Sequence, residues 1–145
     1  MIRQASSKDL DKVISLLKSV SLPSEDIHLH FNNYLVHEFE GNIIGTIGME
    51  IYGATVLLRS LAVAEEFQKR VLGQKLYLKL LENIQSMGIL GIYLLTETAE
   101  KFFIKQGFTV ISRESVPSQV KQSYEFSNLC PSTAVCMCKE LNGGR

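Results

Sequence analysis

The segment Leu61-Ala-Val-Ala-Glu-Glu-Phe-Gln-Lys-Arg-Val-Leu-Gly-Gln74 constrains this chain more than any other stretch. It joins an apolar run, Thr55 to Val63, to a long amphipathic pattern through a short polar stretch with one glycine, Gln68 to Gly73. The run is apolar at both alternating positions, as in a strand covered on both faces. The pattern after it puts Leu76, Leu80 and Ile84 on one side of a helix from about Leu72 to Met87, closed by Gly88. A strand that leads into a helix start gathers unpaired backbone N–H groups and the positive end of the helix dipole at one spot. Such a spot suits phosphate or pyrophosphate, and Lys69, Arg70 and Lys75 add positive charge. Helix starts ordinarily carry acids instead. The expected occupant is therefore a nucleotide-like cofactor.

The remaining elements alternate around this junction. Met1 to Ala5 reads as an edge strand, and Ser6 or Ser7 caps a helix with Leu10, Val13, Ile14 and Leu17 on one face. Leu22-Pro23-Ser24 ends it, and a short helical turn is expected before His30. Tyr34 to Phe39 is a predicted strand, and Glu40-Gly41-Asn42 a hairpin turn. In the next strand Ile43, Gly45, Ile47, Met49 and Ile51 point one way, and Thr46, Gly48 and Glu50 the other. Ile92 to Leu95 and Phe108 to Ile111 are further strands, separated by a helix that Thr96 or Thr98 caps and Gly107 ends. Ser115-Val-Pro117 opens another helix, with Pro117 at a tolerated first-turn position, and Ala134 to Leu141 is the last strand.

With 145 residues, the chain is expected to be one domain spanning 1–145. Fifteen basic and fifteen acidic side chains balance, which argues against a nucleic-acid or anionic-membrane partner. No apolar run reaches the ~20 residues that span a bilayer, and the amino end lacks the apolar stretch of a signal peptide. Three cysteines, Cys130, Cys136 and Cys138, form no disulfide framework. A reducing, cytoplasmic setting is the expectation.

This order of elements, with the residues quoted, resembles the GNAT N-acetyltransferase superfamily over nearly the whole chain. Leu58-Arg-Ser-Leu-Ala-Val63 looks like its fourth strand. Phe67-Gln-Lys-Arg-Val-Leu-Gly73 looks like its acetyl-CoA loop, usually written Gln/Arg-x-x-Gly-x-Gly/Ala, and Phe102-Phe-Ile-Lys-Gln-Gly-Phe108 like its late helix-to-strand motif. A narrower resemblance joins Gly48 to Gly53, Leu57 to Val63, Tyr93 to Thr96 and Leu129 to Met137 to an acetyltransferase-like family found with arsenic-resistance genes. The resemblance implies an α/β (α+β) fold, a mixed, mostly antiparallel sheet of six to seven strands flanked by helices. It implies an acetyl-CoA-dependent N-acetyltransferase acting on a small-molecule amine. The pantetheine arm would bond the main chain of Leu61, Ala62 and Val63, and the pyrophosphate the amides of Gln68, Lys69, Arg70, Val71, Leu72, Gly73 and Gln74. One position departs from the pattern: Val71 stands where the loop's first glycine is usual, and a β-branched residue narrows the approach of phosphate to backbone.

Acetyl transfer needs a neutral amine, a polarised carbonyl and a proton for the departing thiolate. Glu50 is the candidate base, with a solvated carboxylate on a half-exposed strand as the equally weighted alternative, and Glu97 is the reserve. Arg59, in an otherwise apolar strand, either grips an anionic group of the acceptor or closes an internal ion pair with Glu50 or Glu97. Strict alternation puts Leu57, Leu61 and Val63 on its side. Many relatives place a tyrosine, as acid, where this chain has Phe103; Tyr93, Tyr124, Cys130 or water are the substitutes, and Tyr124 and Cys130 are counted in the acceptor site. The cysteines read more simply as small buried hydrophobes than as ligands of a soft ion, so no metal site is expected. His28 and His30 read as residues of a surface loop. The alternative function is a catalytically weak module of the same fold that binds acyl-CoA or a metalloid. A homodimer paired through the last two strands is an arrangement the pattern allows.

Overall fold

The computed structural model describes residues 1–68, 71–129 and 133–141. Seven strands form one sheet in the order β1-β2-β3-β4-β5-β7-β6, with β1 Ile2–Gln4, β2 Tyr34–Phe39, β3 Asn42–Tyr52, β4 Thr55–Val63, β5 Gly91–Thr96, β6 Thr109–Ile111 and β7 Val135–Glu140. The helices are α1 Leu10–Ser19, α2 Leu72–Ser86, α3 Glu100–Lys105 and α4 Ser118–Lys121. Pairing is antiparallel in β1/β2, β2/β3, β5/β7 and β6/β7, and parallel in β4/β5. This is the mixed, mostly antiparallel sheet flanked by helices that the sequence predicts. No helix among the described residues is long and apolar enough to cross a membrane.

Two compact units can be told apart. The first takes Met1–Glu50 and Arg59–Ile84. Its core gathers Val13, Leu16 and Leu17 of α1, Ile27 and Phe31, Tyr34 and Val36 of β2, and Ala62 of β4. Before α1, the Asp9 carboxylate accepts from the Ser6 amide at 2.8 Å and from both terminal nitrogens of Arg3 at 2.8 and 2.9 Å. The Arg3 guanidinium holds the Asp9 carboxyl well below the usual carboxylate range. The β2–β3 hairpin closes through Glu40 and Gly41, both left-handed at φ 50° and 80°, the conformation a two-residue turn needs to match strand twist. β3 is buried on both faces from Ile44 to Glu50, so its polar side, Thr46, Gly48 and Glu50, lies inside the protein. Thr46 is satisfied there by donating to Leu35 O at 2.9 Å.

The second unit takes Ile51–Leu58 and the chain from Gln85 onward. Leu57 packs with Val116, Val120 and Cys136. The Thr96 hydroxyl accepts from the Ala99 amide at 2.9 Å just ahead of α3, and Gly107, at φ 94°, follows that helix. Pro117 is not inside the first turn of α4, as the sequence predicts, but caps it: the Pro117 carbonyl accepts from the amides of Val120 and Lys121. β7 is paired along both edges, to β5 and to β6. The last two strands thus pair with each other within the chain over Cys136–Cys138, with β6 at the end of the sheet.

Gly48 faces the ring of Tyr34, where an added methyl group would overlap the ring carbons. Gly48→Ala is expected to lower the unfolding free energy by about 1–3 kcal/mol, the usual cost of overpacking. Urea denaturation followed by circular dichroism measures it.

Candidate functional site

The sequence pattern of β4 breaks at Ser60, whose φ of 62° is left-handed. A non-glycine residue in that region inside a strand marks a bulge, which bends the strand and interrupts the alternation of side chains. Consecutive side chains are consequently both drawn into the first unit. Arg59 reaches Asp26 and Glu50, while the Ser60 hydroxyl shares a 2.6 Å hydrogen bond with the Tyr34 hydroxyl. Past the bulge it is Ala62 that joins the Tyr34 cluster. The expectation that Leu61 and Val63 share the side of Arg59 assumed a regular strand and is corrected by this turn of backbone.

Arg59 anchors a buried charge cluster. Its Nη1 donates to Asp26 Oδ2 at 2.7 Å and to Glu50 Oε2 at 2.8 Å, and all three side chains are buried. The other oxygen of Glu50, Oε1, lies 3.3 Å from Nε2 of His30, whose side chain is 28% exposed. Of Arg59's two expected roles, the geometry therefore shows the internal ion pair with Glu50, with Asp26 added. The solvated-carboxylate alternative for Glu50 is excluded by its burial. Periodicity gave no sign of Asp26, His30 or Tyr34, since each is brought to the cluster by the irregular chain around residues 26–34. Only the rarity of an unpartnered buried arginine signalled that acids had to be nearby.

The junction after β4 is built from tight turns. Phe67 and Gln68 donate their amides to Ala64 O and Glu65 O at 2.8 and 3.3 Å, and the Gln68 side chain donates to Val63 O at 3.0 Å. The Gln68 amide, expected to face phosphate, is thus already used by the chain. Lys69 and Arg70 lie outside the described residues. The Lys75 amide donates to Val71 O at 3.1 Å, so by helix geometry the amides just ahead of it have no acceptor within α2. The first turn of α2 carries no acid. Val71 is 61% exposed, and a methyl group placed on Gly73 would meet no atom within 4 Å. Leu72, by contrast, is buried, and Gln74 is exposed. The parallel ladder of β4 with β5 runs over Thr55↔Gly91, Val56↔Ile92 and Leu57↔Tyr93, whereas β4 continues to Val63.

The other expected site residues fall in the second unit. Glu97 follows β5 and accepts a hydrogen bond from the Thr133 hydroxyl at 3.1 Å. Tyr124 is 44% exposed, and Cys130 lies outside the described residues. Phe103 is buried, with edge-on ring contacts to Phe102 and Phe108 at centroid distances of 5.0 and 5.2 Å. Cys136 and Cys138 are buried in β7. Burial pushes the Cys136 thiol up to about 11, and raises Cys138 as well.

Over residues 30–110, more than half the chain, the sequence matches the family model of the acetyltransferase (GNAT) domain. The chain belongs to this family. The matched stretch of this GNAT domain begins at His30 and contains Glu50, Arg59, the Ser60 bulge and the whole junction to α2; Tyr124 and the cysteines lie beyond it. An uncharacterized N-acetyltransferase of Chlorobaculum tepidum is 27% identical over 113 residues, which cover 77% of this chain and 70% of that one. An amino-acid acetyltransferase of Neisseria meningitidis is 21% identical over 132 residues, 85% of this chain and 30% of that one. In fold, the chain is similar to N-acetylglutamate synthase of Neisseria gonorrhoeae, solved with coenzyme A and N-acetyl-glutamate, at a TM-score of 0.84 and 19% identity. That likeness covers 97% of this chain and 35% of the synthase, so the chain spans about a third of its length.

Two measurements test this site. Arg59→Ala leaves two carboxylates buried without their counter-charge and is expected to cost about 3–5 kcal/mol of unfolding free energy, with Arg59→Lys losing less; equilibrium urea unfolding compares them. For the thiols, iodoacetamide labelling of Cys136 in the native protein at pH 8 is expected to be at least about tenfold slower than in the unfolded chain, as read by peptide mass spectrometry.

Proposed function

We propose that this GNAT domain transfers the acetyl group of acetyl-CoA to the amine of a small molecule by direct attack. The observation that carries the reading is the junction itself. A strand that pairs with β5 over Thr55–Leu57 runs on to Val63, and the helix that begins at Leu72 has no acid in its first turn. In this reading the main chain of Leu61, Ala62 and Val63 bonds the pantetheine arm as an added strand would. The amides of Val71, Leu72, Gly73 and Gln74, with Lys69 and Arg70 beside them, take the diphosphate. Gln68 contributes by fixing the turn through its bond to Val63 O.

Family membership supports the chemistry, and the names of two relatives support the acceptor class: one is an amino-acid acetyltransferase, and another was solved with N-acetyl-glutamate. A small amine of amino-acid size is the acceptor we assign. In the reaction the neutral amine nitrogen attacks the thioester carbonyl carbon, the carbon–sulfur bond breaks, and the thiolate leaves and is protonated. The base is assigned to the Glu50 cluster, with Glu97 as the second carboxylate. Arg59 acts on the acceptor through the charge of that cluster. Phe103 has no proton to give, so Tyr93, Tyr124, Cys130 or water supplies it to the thiolate. The tie to arsenic-resistance acetyltransferases is proposed on the four segments quoted for it and carries no acceptor with it.

A second reading, a domain that binds acyl-CoA with little turnover, is favoured by Val71 in the loop and Phe103 at the usual tyrosine position. Its metalloid version is weakened by the buried, hard-to-ionise thiols of Cys136 and Cys138.

Isothermal titration calorimetry with acetyl-CoA tests the proposal, and no binding at millimolar ligand refutes it. Val71→Gly, which removes an exposed side chain and opens the backbone to phosphate, is expected to tighten binding by about three- to tenfold. Release of free CoA in the presence of amines then separates the enzyme from the weak-turnover module.

A further inference from the structure

We propose that His30 is the catalytic base and that Glu50 is its positioning residue; this rests on the acetyltransferase reading above. Glu50 is fully buried, and both its oxygens are occupied, Oε2 by Arg59 Nη1 at 2.8 Å and Oε1 facing His30 Nε2 at 3.3 Å. A carboxylate so enclosed has no direct path to an incoming amine. His30 is the one member of the cluster with substantial exposure, at 28% of its side chain. Among the described residues, the charged group facing it is Glu50 from β3, with Arg59 from β4 and Asp26 from the preceding turn behind that carboxylate.

The chemistry follows from this order. With Glu50 Oε1 3.3 Å from Nε2, we assign the tautomer that carries hydrogen there, which leaves Nδ1 as the basic nitrogen. Nδ1 has no partner among the described residues. Arg59 holds Glu50 from the other side, so the imidazole is oriented by a carboxylate that is itself fixed, the arrangement that makes a histidine an effective base. The charges balance as well. Asp26, Glu50 and Arg59 sum formally to one negative charge, and a proton arriving on His30 brings the four groups to neutrality. In the step proposed, Nδ1 takes a proton from the acceptor's ammonium, and the freed nitrogen lone pair forms the C–N bond at the thioester carbonyl. As the carbonyl re-forms, the C–S bond breaks with its electron pair on the CoA sulfur; the second proton shed by the nitrogen as it becomes an amide passes by way of water to that thiolate, and solvent receives the imidazolium proton after turnover. Arg59 is the residue before the Ser60 bulge, so the cluster adjoins the stretch of β4 assigned to the pantetheine arm.

The test measures free CoA released from acetyl-CoA across pH, with a mixture of L-glutamate, L-arginine and 1,4-diaminobutane as nucleophiles and water competing. Wild-type kcat/KM is expected to rise with pH through one ionisation. In His30→Ala it should fall by about a hundredfold and lose that ionisation, with the dissociation constant for acetyl-CoA within twofold of wild type and added imidazole restoring part of the rate. Glu50→Gln should displace the ionisation while retaining part of the activity, the mark of a group acting through His30. His30→Gln should match His30→Ala in rate and wild type in unfolding midpoint. A His30→Ala protein with an unchanged rate and profile overturns the proposal, as does a rate loss accompanied by weakened acetyl-CoA binding and no imidazole rescue. Wild-type protein that binds acetyl-CoA and releases no CoA overturns it too. Failure of wild-type protein to bind acetyl-CoA at all is the separate result that removes the acetyltransferase reading beneath it.

Discussion

One guanidinium, held between two carboxylates, fixes the part of the first unit on which the rest of its site is built. Arg59 bonds Asp26 and Glu50 through a single nitrogen at 2.7 and 2.8 Å, and so ties β4 to β3 and to the turn before residue 30. Burying three charges costs several kcal/mol of desolvation for each ion, and their attraction offsets that only in good geometry. A pair of this kind is a poor means of gaining stability. What it supplies is position: the acids must come to Arg59, or the fold of this unit pays the full penalty of an uncompensated charge.

The bulge at Ser60 works with that constraint. A regular strand would send the side chains of residues 59 and 60 to opposite faces, yet Arg59 meets its acids and Ser60 meets the Tyr34 hydroxyl in one unit. Left-handed backbone at a serine is unfavourable. The 2.6 Å bond to Tyr34, itself seated over Gly48, helps hold it. Beyond the bulge, β4 leads into the turns that Gln68 secures, and α2 begins at Leu72. The same strand thus carries the charge cluster at its middle and the helix junction at its end, which is why acid–base chemistry and diphosphate binding are both assigned to its neighbourhood.

Several elements were legible from residues alone. β2 and β4 begin and end where periodicity and turn residues put them, and α2 starts at Leu72 as expected. These long, strongly patterned segments carry their own signal in the spacing of apolar side chains. The misreadings fall where local pattern and tertiary need disagree. The sequence pattern puts Pro117 one step too far into α4, an ordinary boundary shift for a residue that serves as cap or first turn equally well. His30 does lie in a bend between elements, as the sequence predicts, but nothing in its neighbours announces the Glu50 carboxylate twenty residues on. Lys69, Arg70 and Cys130 lie outside the described residues, so their expected roles rest on the sequence alone.

By itself the sequence determined the order of strands and helices, the strand-to-helix junction with its basic residues, and the presence of a charge inside an apolar strand. Those properties are written in nearest-neighbour spacing and composition. Only the tertiary structure decided which acids meet Arg59, that Glu50 is enclosed while His30 stays partly open, and that β4 bulges at Ser60. The reason is physical: a buried charge selects partners by distance and desolvation, and side chains tens of residues apart acquire a distance only once the chain has folded.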